Sequence, residues 1–98
     1  MYSEIGYIRT RINDLAVLFG YTLQDIYSYN RDPKLATVRQ LIWMDLREGG
    51  FTVDIIGKAT KRRHSSIVIG LQRIKGLLQI GDNLANDMRE KIRIHEET

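Results

Sequence analysis

Helical spacing, cut at short intervals, constrains this chain more than any other feature. Apolar residues recur at three- and four-residue steps through most of the sequence, and no segment alternates apolar with polar residues as a strand does. The runs are broken at Gly20, at Asp32-Pro33, at Gly49-Gly50, at the polar stretch Thr60-Lys61-Arg62-Arg63 and at Gly81-Asp82. The single proline, Pro33, directly follows an acidic residue and so marks a helix start, not a break. A chain of this pattern is all-α: a compact multi-helix domain of about five to six helices that includes a helix-turn-helix.

The elements follow from the breaks. A first helix is predicted over Tyr7 to Phe19, with Ile8, Ile12, Leu15, Ala16 and Phe19 on one face and Gly20 as its stop. Thr22-Leu23-Gln24-Asp25 has the form of a capping box and opens a short helix to about Tyr27 or Ser28. The helix opened by Asp32-Pro33 turns Leu35, Val38, Leu41, Ile42 and Leu46 inward and ends at Gly49-Gly50. Thr52 caps the next, which runs to about Ala59 with Val53, Ile55 and Ile56 on its apolar side. After the turn Thr60 to Arg63, a helix starts near His64 and carries Ile67, Leu71, Ile74 and Leu78 on one face. Gly81-Asp82 ends it and caps a C-terminal amphipathic helix, whose tail from His95 to Thr98 is predicted to fray.

Residues 1–80 thus form the helix-turn-helix domain, and residues 81–98 add a helix packed on the same domain. On that helix Leu84, Met88 and Ile92 fall at four-residue steps. The stripe either folds back onto the domain, the favoured reading, or serves a homodimer or a protein partner. Trp43 and the five tyrosines read as packing residues, because they are spread out and not interleaved with the basic turn.

Composition excludes several functions. With no cysteine there is neither a disulfide framework nor a thiolate metal site, and His64 and His95 are too few and too far apart in sequence to suggest a metal centre. No charged-then-apolar leader appears, and no apolar run approaches the roughly 20 residues of a membrane span, so a cytoplasmic protein without membrane contact is expected. No paired acids, metal cluster or Gly-rich phosphate loop with a lysine is present, so no enzyme activity, cofactor or small-molecule substrate is expected. Net charge is only +3, but it is unevenly placed. Arg31 to Lys75 holds ten lysines and arginines against four acids, whereas the flanks hold five against eight. A basic middle of this kind is the footprint of a polyanion partner.

The basic charge peaks in Ile56-Gly57-Lys58-Ala59-Thr60-Lys61-Arg62-Arg63-His64-Ser65-Ser66-Ile67-Val68. This is the end of one short helix, a basic turn and the polar start of a second helix. In a helix-turn-helix the first turn of the second helix meets base edges in the major groove. His64, Ser65 and Ser66 are short donors and acceptors suited to that place. Lys58, Lys61 and Arg62 are the phosphate ligands expected from charge density.

From about Leu15 to Leu78 the chain resembles the C-terminal DNA-binding domain of the bacterial replication initiator DnaA, one of a group of helical folds that includes Trp repressor. The resemblance lies in Ser28 closing a short helix, the loop Tyr29-Asn30-Arg31-Asp32, the pair Arg39-Gln40 on a long helix, Ile56-Gly57, and the signature turn Arg62-Arg63-His64-Ser65-Ser66-Ile67. It implies double-stranded DNA as the partner. Base reading would fall to His64, Ser65 and Ser66, minor-groove entry to Arg31, and phosphate contact to Arg39 and, eight places on, Arg47.

Three departures bear on the recognition sequence. Arg63 stands where the family has an aspartate, which replaces an acceptor with a donor that prefers guanine or phosphate. Two serines replace threonines, removing methyl groups that pack on thymine. Lys61 replaces a glycine. The expectation is that DNA binding survives and the family's recognition sequence does not. The ATPase module that precedes this domain in DnaA has no counterpart in the sequence, so the resemblance implies a stand-alone transcriptional or replication-associated factor on the nucleoid. The rival expectation is a protein-interaction module that keeps the fold and not the DNA.

Overall fold

Six helices account for most of residues 4–97, the part of the chain that the computed structural model describes: α1 (Glu4–Leu18), α2 (Leu23–Tyr27), α3 (Pro33–Glu48), α4 (Val53–Thr60), α5 (His64–Gln79) and α6 (Asn83–Glu97). The protein is all-helical, as its spacing predicts. α3 is the central rod. It packs against every other helix and buries Leu35, Val38, Leu41, Ile42, Trp43, Met44 and Leu46. α1 contributes Ile8, Ile12, Leu15 and Ala16 to the same core, α5 contributes Ile67, Leu71 and Ile74, and α6 contributes Ala85, Met88 and Ile92.

Local chemistry sets the helix starts. The Thr22 hydroxyl accepts from Asp25 N–H at 3.1 Å while the Asp25 carboxylate accepts from Thr22 N–H at 2.8 Å, which satisfies two helix-end donors reciprocally. Asp32 accepts from Leu35 N–H, Thr52 from Ile55 N–H and Asp82 from Ala85 N–H, at 3.0, 3.2 and 2.9 Å. Each such cap stabilises its helix by about 1 kcal/mol.

Three expectations are corrected. α1 begins at Glu4, earlier than the sequence suggests. Thr60 belongs to α4 and not to the turn, because its hydroxyl donates to Ile56 O at 2.7 Å and the residue is buried. The tail from His95 continues as helix to Glu97, and His95 Nε2 lies 3.0 Å from Asp14 Oδ2; Thr98 is outside the described residues. Of the Leu84-Met88-Ile92 stripe, Met88 and Ile92 lie in the core, Ala85 completes that face, and Leu84 is left half-exposed at its edge. α6 is further tied down by Arg11, which binds Asp45 of α3 through two nitrogens at 2.9 and 3.0 Å and also pairs with Glu96. The hydrogen bonds to Asp45 hold the Arg11 guanidinium above its ordinary pKa despite partial burial.

Two glycines permit close crossings. A Cβ on Gly70 of α5 would lie 2.8 Å from Trp43 Cε3, so the α3–α5 contact needs that position bare. A Cβ on Gly57 of α4 would lie 2.8 Å from the Arg62 carbonyl oxygen, so the chain can fold back through the turn only over a glycine. The sequence marks Gly57 as part of a resemblance; the turn supplies its physical reason.

Candidate nucleic-acid interface

α4 and α5 are joined by Lys61, Arg62 and Arg63 alone. The reversal is made at Lys61, whose φ of 57° and ψ of 43° put a non-glycine residue in the left-handed region. Its backbone and that of Arg62 both donate to Gly57 O, which closes the α4 end. An L residue in this conformation carries a cost of roughly 1–2 kcal/mol relative to its relaxed state.

α5 starts differently from its neighbours. α2, α3, α4 and α6 each begin under a hydroxyl or carboxylate, whereas Arg63, the N-cap of α5, makes no side-chain cap bond. No acid lies in the first turn of α5. The first-turn N–H groups therefore stay directed outward, and the positive end of the helix dipole is not neutralised by its own helix. Ser65 and Ser66 are not caps. They occupy the second and third helical positions and are exposed, as are His64 and Arg63.

The predicted residues divide into two sets. Lys58, Lys61 and His64 line one groove beside the turn, with Asp54, Gly57 and the half-buried Arg62. Lys58, Lys61 and His64 are exposed, and so is Arg63, the residue before His64 in the chain. His64 Nε2 is 3.7 Å from Asp54 Oδ1, a carboxylate that stands next to the cations. Arg31 is exposed in the loop between α2 and α3, and Arg47 is exposed near the C-terminus of α3, where its Nη1 lies 3.4 Å from Phe51 O.

Arg39 and Arg62 form the second set, and neither matches its expected role as a phosphate ligand. Arg39 is 7% exposed. Its Nε donates to Ile26 O at 3.0 Å, Nη1 to Asn30 O at 2.7 Å, and Nη2 to Asp25 O and Ser28 O at 2.9 and 2.7 Å, with Ser28 Oγ at 3.0 Å. Three of these carbonyls lie at the end of α2, a five-residue helix that ends without a left-handed cap, and Asn30 O lies in the loop beyond it. Burial, and next the Arg62 cation, lower the Arg39 pKa, with Asp25 opposing them. Arg62 is half-buried; its Nη2 donates to Ile26 O at 3.2 Å and to Ser28 O, and its guanidinium stacks 4.8 Å from the centre of the Tyr29 ring.

The same contacts fix the relation between the two parts of the surface. Through Arg62 the α4–α5 turn grips the end of α2, and through Arg39 the loop that carries Arg31 is held from below. Gln40, the other half of the expected pair, accepts from Arg73 of α5 at 2.6 Å and ties the long helix to α5. Tyr29 escaped the sequence reading, which grouped it with packing residues; it is 80% exposed. Its one signal in the sequence is its place in the polar loop Tyr29-Asn30-Arg31-Asp32.

Set against known proteins, the chain matches no protein-family model and no curated sequence.

Proposed function

We propose that this domain binds double-stranded DNA, with the first turn of α5 in the major groove and the α2–α3 loop against the neighbouring backbone. One observation carries the reading. The uncapped N-terminus of α5 presents His64, Ser65 and Ser66 to solvent within a ring of exposed cations, Lys58, Lys61 and Arg63. Free helix N–H groups and lysines bind phosphate oxygens, and short polar side chains on a first helical turn reach base edges. His64, Ser65, Ser66 and Arg63 then read bases. Lys58 and Lys61 hold phosphates, with Arg47 as an outlying contact. Arg31 reaches the minor groove in the arrangement that the DnaA resemblance implies. Arg39 and Arg62 position the loop and touch no DNA.

The rival reading, a protein-interaction module working through Leu84, Met88 and Ile92, loses its surface because two of the three are in the core. The test is fluorescence anisotropy of labelled duplexes, random and containing a DnaA box, across a salt series. Three to five phosphate contacts give a log–log salt slope of about −3 to −4.5. Replacing Lys58 and Lys61 by alanine weakens binding to every duplex, and His64→Ala narrows the difference between duplexes. Absence of binding at low salt refutes the proposal.

A further inference from the structure

Tyr29 is the most exposed large apolar residue among those described, and it stands in a loop that is held still. The peptide groups on both sides of it are pinned by Arg39, through Ser28 O and Asn30 O at 2.7 Å each. Ser28 Oγ donates to Asp25 O at 2.7 Å, and Asp32 N–H donates to Asn30 Oδ1 at 3.0 Å. The Arg62 guanidinium lies 4.8 Å from the ring centre and is itself bonded to Ile26 O and Ser28 O. The ring is thus backed by a fixed cation and otherwise bare. Exposed cations flank it, Arg31 two residues on and Lys61 next to Arg62.

A rigid aromatic face among cations complements a ligand that offers π-faces and phosphates together, which is a nucleotide chain. Inside a duplex the base faces are covered by their neighbours and only edges are open. A base can stack on Tyr29 only when it has left the helix or lies beyond its end. Resting on the DNA-binding reading above, we propose that Tyr29 is a stacking platform for an unpaired base, so that the preferred ligand is duplex DNA adjoining a single-stranded stretch.

The experiment compares three ligands by anisotropy at low salt: a blunt duplex, the same duplex with a thymidine overhang, and the overhang strand alone. The overhang strengthens binding of the native protein about five- to tenfold over the blunt duplex, the scale of one base–aromatic stack. Tyr29→Ala binds the two duplexes alike, whereas Tyr29→Phe keeps the gain because stacking needs the ring and not the hydroxyl. A 2-aminopurine at the first unpaired position is quenched by the native protein and by Tyr29→Phe, and not by Tyr29→Ala. An overhang without effect, a gain that persists in Tyr29→Ala, or a gain lost in Tyr29→Phe overturns the proposal. Failure of the blunt duplex to bind refutes the duplex-binding reading instead, and the two failures are read from separate ligands.

Discussion

Lys61→Gly should make the protein more stable and a poorer DNA binder at once. At φ 57° and ψ 43° the lysine Cβ crowds the following carbonyl, at a cost of roughly 1–2 kcal/mol that glycine does not bear. Glycine also loosens the unfolded chain, which offsets about 0.4–1 kcal/mol of the relief. The net gain is about 0.5–1 kcal/mol, and in a domain of this size that raises Tm by roughly 3–6 °C. Lys61 is exposed, and among the described residues its side chain makes no hydrogen bond or ion pair that would be lost. Its removal takes one cation from beside the start of α5, so the log–log salt slope of duplex binding falls by about 0.9. Thermal unfolding followed by circular dichroism reads the first effect, and anisotropy over a salt series reads the second. Lys61→Ala separates them, since it removes the charge and keeps the strain; it lowers the slope without raising Tm. A Tm that drops in Lys61→Gly refutes the strain argument. An unchanged slope in both variants removes Lys61 from the phosphate ligands.

Three further outcomes follow from the packing and the charges. Arg39→Met takes a donor from each of the carbonyls of Asp25, Ile26, Ser28 and Asn30 and should cost about 2–3 kcal/mol in urea unfolding; a loss below about 1 kcal/mol contradicts its assignment as the clamp of α2. Gly70→Ala drives a methyl group into Trp43 and should cost about 1–3 kcal/mol with a shift in the emission of the single tryptophan, whereas Gly76→Ala, where a Cβ meets nothing, should be neutral or stabilising. Asp54→Asn removes the carboxylate 3.7 Å from His64 and should tighten duplex binding about fivefold at low salt, an effect that fades as salt rises; equal affinity in both proteins places Asp54 away from the phosphates.

The starts of α2, α3, α4 and α6 were legible because each is written locally. Thr22, Asp32, Thr52 and Asp82 cap where a hydroxyl or carboxylate precedes an apolar run, and those bonds span three residues. The inward faces of α1 and α3 were legible for the same reason, since long helices repeat their period several times. Arg39 and Arg62 were not legible as buried clamps. Nothing in their own neighbourhood separates an arginine that meets phosphate from one that meets carbonyls 10 or 30 residues away. The available signal lies in the partner: a helix as short as α2, ending at Tyr27-Ser28 with no glycine or asparagine at its end, leaves acceptors that some distant donor has to fill. α6 misled in a smaller way. Leu84 is the more apolar residue, yet Ala85 takes the core position, because the α3–α6 and α5–α6 crossings admit a small side chain there and Leu84 lies at the rim.

Under the DNA-binding proposal, the inward arginines also bear on how a domain of net charge +3 would hold a polyanion. Cations that only add to a surface potential are screened within about 10 Å at ordinary salt. Arg39 and Arg62 act otherwise, by removing freedom from the parts that do the binding. Without them the Tyr29–Asp32 loop is a tether between α2 and α3, and the spacing of Arg31 from His64 is settled only when DNA arrives, at an ordering cost of about 0.5–1.5 kcal/mol for each side chain fixed. With them the loop, the end of α2 and the α4–α5 turn form one hydrogen-bonded unit before any ligand is met. The affinity of so lightly charged a domain then depends on this preorganisation as much as on its count of cations. On this account Arg62→Ala raises Kd without reducing the salt slope, since the guanidinium it removes is bonded to carbonyls and not to phosphate. A slope reduced by about 0.9 would return Arg62 to the phosphate ligands and leave the rigidity of the loop to Arg39 alone.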